Sequence, residues 1–367
     1  MSEAFSFPSL HARERGHPER FGFPGPTGID KNRKNPGSRF RGNDEKWRVS
    51  LFNEGLRRLC FVTLTIAAVV GFGVSVQAAE KVRVGLSVRN VVFLPFYYAQ
   101  EGKIYQKHGL DVELIQMRSD LQTVGLVSGE IDFTPAIGPA TLAIDNGMPL
   151  KAVAVIYRSP LFSLVSPANI SQPKELEGKQ VAVSRLGSDS HKYGVLMLEK
   201  SGVDPKKVTF LQTGSTSVSL TALQQGSVAG AVLSPPFTGA MAEKGFKIFM
   251  RSRALVEAPW LGLVASRQKL QKQPGQVRGM LQAIKEVVGS IRQDREGVTA
   301  YIEKHFKVSR AVARESYEDI REVIVEGLMM PESRIKSYLD AAHARGEIGK
   351  PLAVSDIFDY SFLKRAK

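Results

Sequence analysis

Apolar and polar residues alternate over Val82, Val84 and Leu86, the period of a half-buried strand. A polar loop, Ser87 to Asn90, follows. Leu94, Tyr97, Tyr98 and Glu101 then step at helical spacing, with Pro95 in the first turn. Leu110, Val112 and Leu114 alternate again. Asp120 is expected to cap a helix that stops at Gly129, and Ile131 to Phe133 reads as a third strand. This β-α-β-α-β order predicts a mainly parallel sheet covered by helices.

The order recurs. Gln180 to Val183 is a strand, leading through Gly187-Ser188-Asp189-Ser190 into a helix that runs to Lys200. Val208 to Gln212, a helix from Thr216 to Gly226, and Val228 to Leu233 follow. Leu126 to Phe133 echoes Leu223 to Gly230, and each half ends on a proline turn, Gly138-Pro139 and Ser234-Pro235-Pro236. Two such units in one chain suggest a cleft between them. From Pro274 the period changes. Val277, Met280, Leu281, Ile284, Val287, Val288 and Ile291 mark a long helix, with further helices expected over 295–305, 309–321 and 331–345.

The first eighty residues have no such pattern. Residues 1–48, rich in Arg, Gly, Pro and Asn, have no composition that could bury a core. Arg57 and Arg58, the apolar run Leu59 to Val70 and the small-x-small site Val76-Gln77-Ala78 read as an export signal over 49–79. Translation is therefore expected to begin at Val49 or Leu51, with a disordered extension as the alternative. The run Leu59 to Ala79 is also long enough to serve as an uncleaved membrane tether.

Charge and cysteine narrow the function. The formal charge of +14 divides into +5 over residues 1–79 and +9 over the rest, and no long Lys/Arg run follows Arg58. That argues against a nucleic-acid stripe. The single cysteine, Cys60, lies in the export segment, so the exported chain would have no disulfide, thiolate metal site or cysteine nucleophile. His108, His191, His305 and His343 are scattered without a metal-binding spacing, so no metal and no cofactor is expected.

Four stretches, taken in order, carry a resemblance. They are Leu94-Pro95-Phe96-Tyr97-Tyr98-Ala99-Gln100-Glu101-Gly102 with His108-Gly109-Leu110-Asp111-Val112; Ser128 to Phe133; Glu175 to Val183; and Ala222-Leu223 with Gly226 and Ala231 to Phe237. Over roughly residues 80–345 the chain resembles the periplasmic substrate-binding proteins of ABC importers, of the nitrate/sulfonate/taurine type. It departs from their pattern at Ala229, where the family usually carries an acidic residue. The resemblance implies an α/β, two-lobed periplasmic-binding-protein fold of type II, with two hinge-crossing strands and a helical C-terminal region. Lobe one would hold 80–165 plus 257–367 and lobe two 166–256, with crossings near Leu161 to Val165 and Trp260 to Ala265.

In such sheets ligands sit beyond the carboxyl ends of strands, against helix N-termini. The residues so placed are Ser87, Asn90, Gly138, Thr141, Gly187, Ser188, His191, Ser234 and Pro236, with Phe93, Tyr157 and Trp260 as apolar or stacking walls. Arg89, Arg118 and Arg185 lie near these loops, any one of them able to pair with a carboxylate or sulfonate. Asp189 and Ser190 equally suit a helix cap. The expected function is non-enzymatic: a monomer, exported to the periplasm, that captures a small organic molecule, anionic or heteroaromatic, for an ABC importer permease. The alternative is an exported or fold-related small-molecule enzyme. Ser188, Asp189 and His191 are close in sequence, but there is no G-x-S-x-G elbow. The pyrimidine-synthesising enzyme of this fold would need a cysteine-rich segment.

Overall fold

The computed structural model describes residues 80–364. The extension over 1–48, the export signal over 49–79 and Cys60 lie outside the described residues. Ten strands form the framework: β1 (Glu80–Leu86), β2 (Leu110–Gln116), β3 (Thr134–Ala136), β4 (Leu150–Tyr157), β5 (Ser163–Ser166), β6 (Gln180–Val183), β7 (Thr209–Gln212), β8 (Gly230–Leu233), β9 (Lys247–Arg251) and β10 (Leu261–Ser266).

They make two sheets on one plan. The first, in the order β2-β1-β3-β10-β4, combines a β2-β1 pair and a β3-β10-β4 sheet, linked by an isolated parallel bridge from Val84 of β1 to Phe133, the residue before β3. The second runs β7-β6-β8-β5-β9. Strand β1 is parallel to β2, and β6 is parallel to β7 and β8. The fourth strand of each sheet is antiparallel to both neighbours. That strand is in each case the first one the chain reaches after passing between the sheets, through 158–162 before β5 and through 252–260 before β10. The sheets are thus mixed, not mainly parallel, because each borrows an antiparallel strand at the crossing.

Two local expectations shift. The third strand begins at Thr134 instead of Ile131. At Asp132 the contact with β1 is irregular: Asp132 and Phe133 N–H both donate to Arg83 O (2.8 and 3.2 Å), while Arg83 N–H donates to the Asp132 carboxylate (2.7 Å), which also accepts from the Lys269 ammonium (2.7 Å). The helix expected to be capped by Asp120 is Ser119–Ser128, with Arg118 at the capping position and Asp120 already inside.

The first lobe packs β1, β2 and β10 against the helix Pro274–Gln293, whose Val277, Met280, Ile284, Val287 and Ile291 are fully buried. The helix Arg310–Val323 adds Ala313, Tyr317, Ile320 and Val323 to the same core. Its continuation lies along β4, where Val325 N–H donates to Ile156 (2.8 Å) and Arg158 N–H to Val323 (2.9 Å). The second lobe has its own cores on the two faces of its sheet, around Leu164, Val181 and Val232 on one side and Ala182, Ala231 and Leu233 on the other. Continuous burial on both faces explains why these strands are short apolar runs. No helix among the described residues is long and apolar enough to cross a membrane.

Candidate functional site

The carboxyl ends of the two sheets meet. At the end of β1, Asn90 starts a single 3-10 turn, its side-chain oxygen accepting from Val92 N–H at 2.8 Å. That bond fixes the carboxamide, leaving its NH2 to donate to the Ser234 hydroxyl at 3.1 Å. Ser234 follows β8 in the other lobe. Both residues are buried, at 1% and 4% exposure, so this bond between the lobes is shielded from water. Pro236, two residues on, is buried beside it in sequence.

A second junction forms at Asp189, the first residue of the helix Asp189–Lys200. Its Oδ2 accepts from the Trp260 indole N–H at 2.8 Å. Its Oδ1 lies 3.5 Å from where a β-carbon would stand on Gly138, in the first turn of the helix Ile137–Asp145. The carboxylate therefore lies by the N-termini of two helices, one from each lobe, with Trp260 as its only hydrogen-bond donor among the described residues. Burial pushes the Asp189 carboxyl up, against the opposing pull of Lys192 and the Trp260 bond.

Aromatic rings continue from Trp260. Tyr157 stacks beside it (6.4 Å, 27°), Phe162 meets it edge-on (5.6 Å, 71°) and Tyr193 stacks on Phe162 (6.0 Å, 25°). Tyr157 is fully buried and its hydroxyl has no hydrogen-bond partner. Beyond Tyr193, the Lys192 ammonium lies over the Tyr193 and Tyr338 rings (5.5 and 5.4 Å) and pairs with Glu347, a third link between the lobes.

Of the residues read from sequence, Asn90, Gly138, Tyr157, Ser234 and Trp260 come together at these junctions. Ser87 and Arg89 are exposed, and the Arg89 guanidinium rests 5.3 Å over the Tyr97 ring. Phe93 packs into the core of the first lobe. Thr141 turns its hydroxyl back to Ile137 O (3.0 Å). Gly187 N–H donates to His191 Nδ1 (3.2 Å), whose ring packs edge-on to Phe210 (4.6 Å). Ser188 donates to Arg185 O (2.6 Å) and shares hydroxyl contacts with Ser184 and Ser190. Asp189, Phe162, Tyr193, Lys192, Tyr338 and Glu347 complete the cluster. Of these, the sequence names only Asp189, at the ligand-side end of a strand and equally as a helix cap. Among the described residues, no group of three or more His, Cys, Asp or Glu side chains could hold a metal ion.

A family model described as NMT1/THI5 like matches residues 90–296, more than half of the chain, and the protein belongs to that family. Three solved structures share its fold. One is the alkanesulfonate-binding protein SsuA from Xanthomonas axonopodis pv. citri bound to MOPS, with TM-score 0.64, 18% identity, and 77% of this chain and 99% of that one covered. Another is the periplasmic nitrate-binding protein NrtA from Synechocystis PCC 6803, with TM-score 0.62, 16% identity, and coverage of 78% and 88%. The third is the periplasmic aliphatic sulphonate binding protein SsuA from Escherichia coli, with TM-score 0.60, 18% identity, and coverage of 76% and 92%. No curated protein matches the chain. The architecture is that of a periplasmic binding protein.

Proposed function

We propose that this protein is an extracytoplasmic solute-binding protein that captures a small organic molecule between its lobes and hands it to the permease of an ABC importer. The observation that carries this reading is the meeting of the two sheets' carboxyl ends, where Asn90 bonds Ser234 and Trp260 bonds Asp189. With β5 paired in the second sheet, lobe one comprises 80–157 and 261–367 and lobe two 163–251, and the links 158–162 and 252–260 act as the hinge. Capture replaces the direct contacts between the lobes with contacts to cargo. The proposed setting is the periplasm, and the proposed working form is a monomer.

The side chains of the rival hydrolase reading are engaged elsewhere. Ser188 donates to a backbone carbonyl, Asp189 accepts from Trp260, and His191 Nδ1 accepts from a backbone N–H. None of these bonds joins Ser188 to His191, the pairing a nucleophile and its base would need.

Calorimetric titration of the full-length chain against small sulfonates, carboxylates, amidines and amines tests the reading. One saturable site, with the solute recovered unchanged, supports a receptor. Turnover of a solute would establish an enzyme instead. Binding should also raise the melting temperature, since a solute at a hundredfold excess over Kd adds about 2.7 kcal/mol.

A further inference from the structure

The charge at the meeting point of the lobes bears on the kind of cargo, and the argument rests on the receptor reading above. The N-termini of two helices approach the same spot, an arrangement that favours an anion. That spot is already held by a carboxylate of the chain itself. Among the described residues, Asp189 has no salt-bridge partner within 4.0 Å, its Oδ1 accepts no hydrogen bond, and its Oδ2 accepts from the Trp260 indole alone. A sulfonate, nitrate or carboxylate entering between Gly138 and Trp260 would bring a second negative charge beside the half-buried first one, and the two would repel. A cationic nitrogen would instead find an unused carboxylate oxygen.

The surrounding rings point the same way. Aromatic faces attract cations through their quadrupoles. In this cluster they already do so, because the Lys192 ammonium lies over Tyr193 and Tyr338, and Tyr193 stacks in turn on Phe162. The Tyr157 hydroxyl, buried and without a partner, is a further polar atom in the same aromatic run. Burial pushes the Asp189 carboxyl up and Glu347 adds to the rise, while Lys192 and the Trp260 bond oppose it.

We infer that the cleft selects a solute presenting a cationic, N–H-bearing nitrogen group to Asp189, with its apolar part against the Trp260 and Tyr157 rings, and rejects simple anions. Lys192 is the internal competitor. It leaves the same helix one turn after Asp189 and pairs with Glu347.

The test uses two probes with the same ring and opposite charge, benzamidine as its amidinium and benzenesulfonate, titrated calorimetrically into the full-length chain. Benzamidinium is expected to bind and benzenesulfonate not to. Asp189→Asn should weaken benzamidinium by about tenfold or more, the loss of one charge-assisted bond. Lys192→Met, which keeps the apolar stem and removes the competing charge, should tighten benzamidinium severalfold, and it reports even where Asp189→Asn fails to fold. Preference of the wild type for benzenesulfonate, or equal binding of benzamidinium by wild type and both variants, overturns the cation class while leaving a receptor. Silence of both probes, with a saturable response to an anion of the wider panel, also overturns the class and leaves the receptor. Silence across the whole panel overturns the receptor reading itself.

Discussion

Asp319 shows how a single side chain can set a pH response away from the cleft. It is buried on the helix Arg310–Val323, facing Arg253 at 2.9 Å and Arg251 at 3.4 Å across the boundary between the lobes. Burial pushes its carboxyl up to about 6, although both arginines pull it down. A folded-state value above the unfolded one means that the native protein holds the proton more tightly. The stabilising contribution is therefore full below the ordinary value of 3.8 and is lost as pH rises through about 6. Asp319→Asn removes that titration. The difference in unfolding free energy between wild type and variant, from urea titrations at pH 4 and pH 7, should change by roughly 2 kcal/mol, with the wild type relatively stronger at pH 4. A pH-independent difference would show that the arginines neutralise the carboxylate fully.

At the scale of elements, β10 couples the hinge to the cleft. It pairs with β3 and β4 and follows Trp260 directly. Gly262 makes this possible. A β-carbon there would stand 2.1 Å from the Ala154 carbonyl oxygen and 2.5 Å from Ile137 Cδ1. Ile137 opens the helix whose next residue, Gly138, faces Asp189, so a side chain at 262 would press on the cleft as well as on the sheet. Gly262→Ala is expected to cost about 2–4 kcal/mol, measured by urea unfolding, because backbone must move. A loss under 0.5 kcal/mol would mean the strand relaxes freely.

How far these elements were legible follows from their surroundings. The helix Pro274–Gln293 was plain because one face meets the core and the other meets water, so the period survives in the sequence. The strand Leu150–Tyr157, buried on both faces, reads as Leu-Lys-Ala-Val-Ala-Val-Ile-Tyr, a run without alternation, and gave no period to detect. Asn90, Ser234 and Trp260 could be named from their positions at strand ends and the crossing. The role of Asp189 could not, because it depends on an indole 71 residues away. The Lys192–Glu347 pair needs the C-terminal region folded against the second lobe, and no local pattern announces it.

At the largest scale, contacts on several sides hold the two lobes of the described residues together. Asn90–Ser234 and Trp260–Asp189 join the cleft, and Lys192–Glu347 joins its aromatic flank. Along the helix Arg310–Val323, Arg251 bonds Glu315 (2.5 Å) and Ser309 bonds Glu243 (2.5 Å). The two lobes thus satisfy each other's polar groups before any cargo arrives. Affinity measures an exchange of bonds, and a solute gains only what it makes beyond those it breaks.

The shielded bond between Asn90 and Ser234 also makes the cleft a gate in time. A solute cannot enter while the bond is shut, so its arrival must wait for the lobes to part. Stopped-flow traces of Trp260 fluorescence should then show an association rate that climbs with solute concentration and levels off at the opening rate. Ser234→Ala, lacking the hydroxyl that Asn90 grips, should raise that plateau. A rate that stays linear in concentration would mean that the door stands open, and the protein would owe its uptake speed to diffusion alone.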